Sequence, residues 1–329
     1  MRESLSTVCN QFVTNKDLLK EAFAWENAYM HPVCASIWTD KGLTANIEKM
    51  KTCRNLLKSN TGIFSDFRGT GELAIVAKLA VDDYPEEKMK KALEVHAAFK
   101  EHFWASQYLP LASVIVAEMA ESFRYKELAA RTKHIYELMK AEHPFLTSAE
   151  DSVFATLLAF SDMTDNQVVD EMERCYQILK QNFFSANAVQ SLSHVLALGE
   201  GTAEQKCQKV LDIFLGLKMK GYKYGTEYEL ATLGVLALLP IEVDTIVNEM
   251  IEVDQFLSNQ KGYGFFGYGK RQRLMHAAMI LSSSYIDEKD SQKMGTVAIS
   301  GTIAMIAAQQ AAMCAAIAAS TAASASSGS

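Results

Sequence analysis

Proline is scarce here, five residues in 329, and the chain has no CxxC pair, no HExxH step and no DxDD acid motif. Few prolines leave long helices uninterrupted. The six cysteines, Cys9, Cys34, Cys53, Cys175, Cys207 and Cys314, are scattered without paired zinc spacing and read as packed free thiols. The seven histidines are equally dispersed: His96 and His102 lie six apart, His134 and His143 nine apart, and neither spacing places two imidazoles on one helical face. These absences imply no metal and no cofactor. From Arg2 to Glu21 acidic and basic residues alternate with apolar ones, so no secretory apolar run is present and a reducing cytoplasm is expected. Basic residues do not predominate either. Net charge is −7 with a pI near 5.6, which argues against a protein that grips phosphate backbones, and no nucleic-acid partner is expected.

What is present is repetition. Lys58, Lys100, Lys140, Lys180, Lys218 and Ser258 follow one another at 42, 40, 40, 38 and 40 residues. One residue before each stands Leu57, Phe99, Met139, Leu179, Leu217 or Leu257, and five before stands Cys53, Val95, Ile135, Cys175, Ile213 or Val253. Eight before are Met50, Ala92, Thr132, Met172, Val210 and Met250, so the apolar positions step by three and four as one face of an α-helix does. Nine before come six charged residues, Lys49, Lys91, Arg131, Glu171, Lys209 and Glu249. Val95, Ile135 and Ile213 are therefore expected in the core, with their neighbours Lys91, Arg131 and Lys209 in solvent.

Between these amphipathic segments lies a less charged element that sets a large apolar residue before a small one: Leu73-Ala74, Leu111-Ala112, Phe154-Ala155, Leu192-Ser193, Leu230-Ala231 and, more loosely, Met275 to Ala277. The small residue lets another helix approach closely. Each unit reads as an inner helix followed by an outer one, and such a hairpin buries its apolar face only by stacking on its neighbours. The fold class expected is all-α: about six two-helix units of about 40 residues, an α-solenoid of the length typical of HEAT units, with a closed α/α toroid as the alternative. One helical domain over residues 1–293 and an uncharged tail over 294–329 are expected. The segment from Met1 to about Trp25, with Leu5, Val8, Phe12, Leu18, Leu19, Ala22 and Phe23, is expected to cap the array. The acidic pairs Asp82-Asp83 and Asp162 with Asp165 suit helix N-caps.

Two connectors carry candidate binding residues. The stretch from Ser59 to Gly71 holds three glycines and Arg68, which could bind a carboxylate or phosphate or could cap carbonyls at a helix end. The loop from Lys261 to Arg273 contains Gly264 to Lys270, a match to GxxxxGK. Arg271 stands where that motif needs Ser or Thr for Mg²⁺, and a helix rather than a buried strand precedes the loop, so the nucleotide reading fails. What remains is an exposed recognition patch of Tyr263, Phe265, Phe266, Tyr268, Lys270, Arg271 and Arg273; packing of the aromatics beneath the last hairpin, with the cations solvated, is the alternative.

The runs GIFSDFRG at Gly62–Gly69, FKEHF with YLPLA between Phe99 and Ala112, and AMIAAQQAAM at Ala304–Met313 together resemble the uncharacterised bacterial family catalogued as domain of unknown function 4003. The similarity spans nearly the whole chain. It implies a bacterial, full-length, single-family protein and brings no activity, ligand or catalytic residue with it.

Two functions compete. One is a non-catalytic helical scaffold that binds a protein or peptide, favoured by the repeat and by the want of a catalytic set. The other is an enzyme or small-molecule binder with a central pocket in a closed toroid, a reading to which the segment from Phe256 to Phe266 adds a weak similarity to isoprenoid-cyclase and prenyltransferase repeats. The tail, 36 residues without a charged or aromatic side chain, is expected to be helical to about residue 319. Its small residues Ala304, Ala308, Ala312 and Ala316 suit docking on its own array or on a second copy. Membrane anchoring is the less favoured use, since alanine drives insertion weakly and Gln309-Gln310 would sit near the bilayer centre.

Overall fold

A computed structural model of the chain describes residues 1–264, 267–285 and 317. Among the described residues there are fourteen α-helices and no strand. After α1 (Glu3–Ala22), short inner helices alternate with longer outer ones. The inner set is α2 (Met30–Asp40), α4 (Glu72–Ala80), α6 (Leu109–Met119), α8 (Asp151–Leu158), α10 (Ala186–Ala197), α12 (Leu230–Leu238) and α14 (Lys270–Ser283). The outer set is α3 (Ile47–Asn60), α5 (Pro85–Lys100), α7 (Tyr125–Glu142), α9 (Asp165–Leu179), α11 (Ala203–Met219) and α13 (Val243–Ser258).

The two sets differ because their sequences differ. Outer helices bury one stripe: Val95, Ile135, Ile213, Cys53, Cys175 and Val253 all lie in the core, as the spacing predicts. Inner helices have no polar stripe and are buried on every side, for example throughout Leu73–Ala80 in α4 and Leu230–Ala237 in α12.

The chain divides into two compact units. The N-terminal unit holds Thr14–Val169 and Ile317; the C-terminal unit holds Met1–Val13 and the described residues from Asp170 to 285. In the N-terminal unit α2, α4, α6 and α8 pack neighbour to neighbour in one layer, and α3, α5 and α7 form the other. In the C-terminal unit α10, α12 and α14 form the inner layer, with α11 and α13 outside. Among helices consecutive in the chain, the closest pairs are an outer helix with the inner helix that follows: α3 with α4, α5 with α6, α7 with α8, α11 with α12 and α13 with α14. The packed hairpin is thus outer-then-inner, the reverse of the order expected from sequence.

The charged position nine before each reference residue is not simply solvated. Lys49 donates to the Asp82 carbonyl (2.6 Å) just past α4. Arg131 donates to the carbonyls of Ala159 (3.0 Å), Ser161 (2.7 Å) and Met163 and pairs with Asp165 (2.8 Å). Lys209 donates to the Leu239 carbonyl at the end of α12. Each of these cations reaches from an outer helix to the open carbonyls at the end of the inner helix that follows it in the chain, where the helix dipole is negative. Lys91 differs: it is half-exposed and pairs with Glu87 on its own helix (2.9 Å). The expectation of solvated cations thus fails for Arg131 and Lys209, because carbonyls at and beyond a helix end draw a long basic side chain over them.

Other expectations are refined. The buried side of α1 runs through Leu5, Cys9, Phe12, Asn15, Lys16 and Leu19, whereas Ala22 is exposed. The chain's first thirteen residues pack in the C-terminal unit, where the Met1 amine meets Glu252 (3.0 Å), Arg2 meets Glu249 (2.8 Å) and the Phe12 ring lies 6.1 Å from His276. The second half of α1 packs on the first hairpin, with Asn15 donating to Thr39 (3.1 Å) and the Leu43 carbonyl (3.0 Å). Asp82 accepts from the Tyr84 amide (2.9 Å) and holds Lys88 (3.1 Å), while the start of α9 is capped by Thr164 and Gln167 rather than by Asp162. Of the tail, Ile317 is described; it is helical, 2% exposed and packed in the N-terminal unit. The rest of 294–329, its expected helix and its docking lie outside the described residues. No helix among the described residues is long and apolar enough to cross a membrane.

Candidate functional site

Several connectors that lead into an inner helix share one local design: a residue anchored inward beside a ring left in water. Phe23 is buried under the Arg54 guanidinium (5.2 Å), which also pairs with Glu26 (2.6 Å) and Glu72 (2.8 Å); two residues on, Trp25 is fully exposed. Phe67 is buried edge-on to His96 (5.0 Å), while Phe64 is exposed. Phe103 packs against Phe99 (6.1 Å) and Tyr136 (5.6 Å), and Trp104 is exposed. Thr147 is buried with its hydroxyl donating to the Met139 carbonyl (3.2 Å), and Phe145 is exposed. In the C-terminal unit Phe183 packs edge-on to Phe214 (5.1 Å) and Phe184 is exposed. These exposed rings were not singled out from sequence, although the signal was there: Phe64, Trp104, Phe145 and Phe184 all fall four to six residues after the reference lysine.

In the loop from Lys261 to Arg273 the described aromatics and one cation are held by side-chain contacts. Tyr263 is buried, its hydroxyl 2.9 Å from His276 Nδ1, and Tyr268 lies against both rings (5.3 Å and 5.0 Å between centroids). The turn above them closes through the Tyr268 amide donating to the Gly262 carbonyl (2.8 Å). Gly262 has φ +90°, and a Cβ on Gly267 would lie 1.8 Å from the Gly262 carbonyl oxygen, so both glycines are required. Arg273 forms a bidentate pair with the buried Asp254. Lys270 and Arg271, at the start of α14, are exposed. Of the seven residues picked out in this loop, the structure therefore brings Tyr268, Lys270 and Arg271 to the surface side, turns Tyr263 inward and ties Arg273 down; Phe265 and Phe266 lie outside the described residues.

Arg68 sits elsewhere, in the N-terminal unit. Its guanidinium donates to the Thr61 hydroxyl (3.2 Å) and to the carbonyls of Thr61 (2.6 Å) and Lys58, which end α3. That is the capping role weighed for it from sequence.

The largest perturbations of titratable groups follow burial among the helices. Burial pushes the Asp151 carboxyl up to about 7, against the Ser148 amide that donates to it (2.7 Å). Burial also opposes ionisation of Glu118, yet the Lys78 and Lys88 ammonium groups outweigh it and hold that carboxyl down at about 2. Burial raises the thiols of Cys9 to about 12 and Cys53 to about 11, so they are not nucleophiles at neutral pH. Among the described residues no group of three or more His, Cys, Asp and Glu is placed to hold a metal ion.

A family model described as a protein of unknown function, DUF4003, matches residues 15–311. The uncharacterised protein YeaA of Bacillus subtilis (strain 168) is 26% identical over 270 residues, covering 78% of this chain and 77% of the relative. No solved structure matches.

Proposed function

Because the chain belongs to the DUF4003 family of proteins of unknown function, which brings no activity with it, we propose from the geometry that it is a non-catalytic helical-repeat scaffold whose loop at 261–273 binds an acidic segment of a protein or peptide partner. One observation carries this reading: the loop is locked from below by Tyr263 with His276 and by Arg273 with Asp254, while Lys270 and Arg271 stay exposed above it. A loop already fixed in its binding shape loses little entropy on association. Two cations beside Tyr268 on a chain of net charge −7 form a local field opposite in sign to the whole, which favours a carboxylate-rich partner. The repeated helical hairpins supply the rigid frame, and since the inner helices are buried on every side, recognition falls to the connectors.

The test is affinity capture from a bacterial lysate with the parent protein and with Lys270→Glu/Arg271→Glu. Loss of the captured partner in the variant at an unchanged melting temperature supports the reading. Equal capture removes the loop from it.

A second reading, an enzyme or small-molecule binder, draws on Asp151, whose buried carboxyl titrates near 7, the range a general acid or base requires. Ligand-induced stabilisation of the parent that is lost in Asp151→Asn would favour it.

A further inference from the structure

A groove of about 770 Å³ opens on the C-terminal unit between the first half of α11 and the start of α13. Pro240, Ile241 and Val243 give it an apolar floor, and the exposed Glu204, Asp212 and Glu242 stand around it. Lys209 also lines the groove, but its ammonium is drawn onto the Leu239 carbonyl. Asp212 accepts from the Gln208 amide (2.8 Å), a neutral donor that leaves the carboxylate charge in place. Glu204 pairs with Arg174 (2.8 Å), and with side chains 59% and 61% exposed that pair exchanges readily for another.

An apolar floor under a rim of carboxylates suits a long basic side chain. Lys and Arg lay their aliphatic stems on apolar surface and keep the charge at its edge. Charge complementarity therefore selects an exposed basic segment, and such a segment stands on the same chain. Lys270 and Arg271 are exposed at the start of α14, which the Arg273–Asp254 pair pins beside the last turns of α13. They cannot reach their own groove. It lies at the first turn of α13, and 16 residues at about 1.5 Å each put about 24 Å between the two sites.

A second copy has no such obstacle. Whatever the separation of loop and groove, it is the same in both copies, so two chains laid antiparallel along α13 bring each loop to the other's groove at once. Two joined contacts bind more tightly than either alone, which a foreign basic segment filling one groove does not match. The face of α13 between the sites fits this arrangement. Beyond Asp244 its exposed residues, Thr245, Asn248, Gln255 and Ser258, are uncharged, and Lys220 is held on Asn248 (2.5 Å). Glu249 and Glu252 are turned onto Arg2 and the Met1 amine.

We propose that the acidic partner of the 261–273 loop is the groove of a second copy of this chain, in a two-fold dimer where Lys270 and Arg271 of each copy meet Glu204, Asp212 and Glu242 of the other. This inference rests on the binding role proposed for the loop and names its partner.

Sedimentation of the full-length protein measures it. The parent is a dimer at low salt, and its dissociation constant rises more than about tenfold between about 50 and about 500 mM sodium chloride as exposed charges are screened. Lys270→Glu/Arg271→Glu sets carboxylates against carboxylates, and Glu204→Lys/Asp212→Lys/Glu242→Lys sets cations against cations, so each variant alone is a monomer. Mixed one to one, the two variants dimerise again, because each loop now meets the opposite charge. Melting temperatures check that both are folded; if the triple variant melts early, Glu204→Lys/Asp212→Lys, which spares the start of α13, takes its place. The proposal is overturned if the parent is monomeric at low salt, if either folded variant dimerises as the parent does, or if the mixed variants stay monomeric. A monomeric parent that still captures another protein through Lys270 and Arg271 overturns the dimer and leaves the loop's binding role standing, whereas capture indifferent to those residues removes that role itself.

Discussion

Arg273 closes on Asp254 through two parallel hydrogen bonds, Nε to Oδ1 at 2.7 Å and Nη2 to Oδ2 at 2.9 Å, and the carboxylate it holds is 3% exposed. The pair joins α13 to α14 directly below the loop that carries Lys270 and Arg271. Removing the arginine strands a buried charge, whereas removing either exposed cation strands nothing. Arg273→Ala should lower the unfolding free energy by about 3–5 kcal/mol, and Lys270→Ala or Arg271→Ala should change it by no more than about 0.5 kcal/mol. Urea denaturation of the three variants measures this. If Arg273→Ala is as mild as Lys270→Ala, the ion pair does not hold the loop.

From sequence these three cations were equivalent, since each stood among glycines and aromatics in one loop. What separates them is a partner on the preceding helix, nineteen residues back, and its side of that helix is set by packing. The same limit applies to Tyr263 and Tyr268. The helical register was legible because Val95, Ile135 and Ile213 repeat an apolar step that only one face of a helix satisfies. The fates of the rings in Phe103-Trp104 and Phe183-Phe184 were not, because adjacent aromatics satisfy any periodicity and the turn decides which one goes in.

Arg131 shows how a charge at a regular position misleads. Alternation with the apolar stripe suggests solvent, yet its guanidinium covers three carbonyls beyond α8 and pairs with Asp165. Ile135→Ala should cost about 2–4 kcal/mol through lost burial and the cavity left. Arg131→Ala should cost about 1–3 kcal/mol through carbonyls left without a donor. Chemical denaturation of both separates the accounts: an Arg131→Ala protein as stable as its parent would mean that these carbonyls are hydrated.

Asp151 makes stability depend on pH in a direction opposite to that of most carboxylates. Burial raises its folded pKa to about 7, above the ordinary value of 3.8 that it regains on unfolding. Below 3.8 both states hold the proton and the group contributes no penalty. Between 3.8 and 7 the unfolded chain loses its proton first, so stability falls as pH rises, and the loss is complete above 7. Asp151→Asn keeps a carbonyl to accept from the Ser148 amide and cannot ionise. Relative to the parent it should gain roughly 2–4 kcal/mol at pH 8, with the advantage shrinking toward zero near pH 4. Paired melts across that range test it, and a gain independent of pH would show that the carboxyl is not what titrates.

Gly234 lets α12 approach α10 closely in the inner layer of the C-terminal unit. A Cβ there would meet Leu192 Cδ1 at 2.7 Å and Val195 Cγ1 at 3.1 Å, both on α10. Two effects oppose each other in Gly234→Ala. Helix propensity favours alanine by about 1 kcal/mol. Overpacking costs about 1–3 kcal/mol, toward the upper end where a neighbour cannot turn away. Leu192 can rotate its terminal methyl, but Val195 is β-branched and fixed in a helix, so the clash should win and the variant should lose about 1 kcal/mol. Leu192→Ala alone opens a cavity and destabilises, yet combined with Gly234→Ala it should cost less than the two singles added, because the new methyl occupies part of the space vacated. A double-mutant cycle by urea denaturation gives the coupling. Additive singles, or a Gly234→Ala protein more stable than its parent, would mean that α10 and α12 do not meet at this glycine.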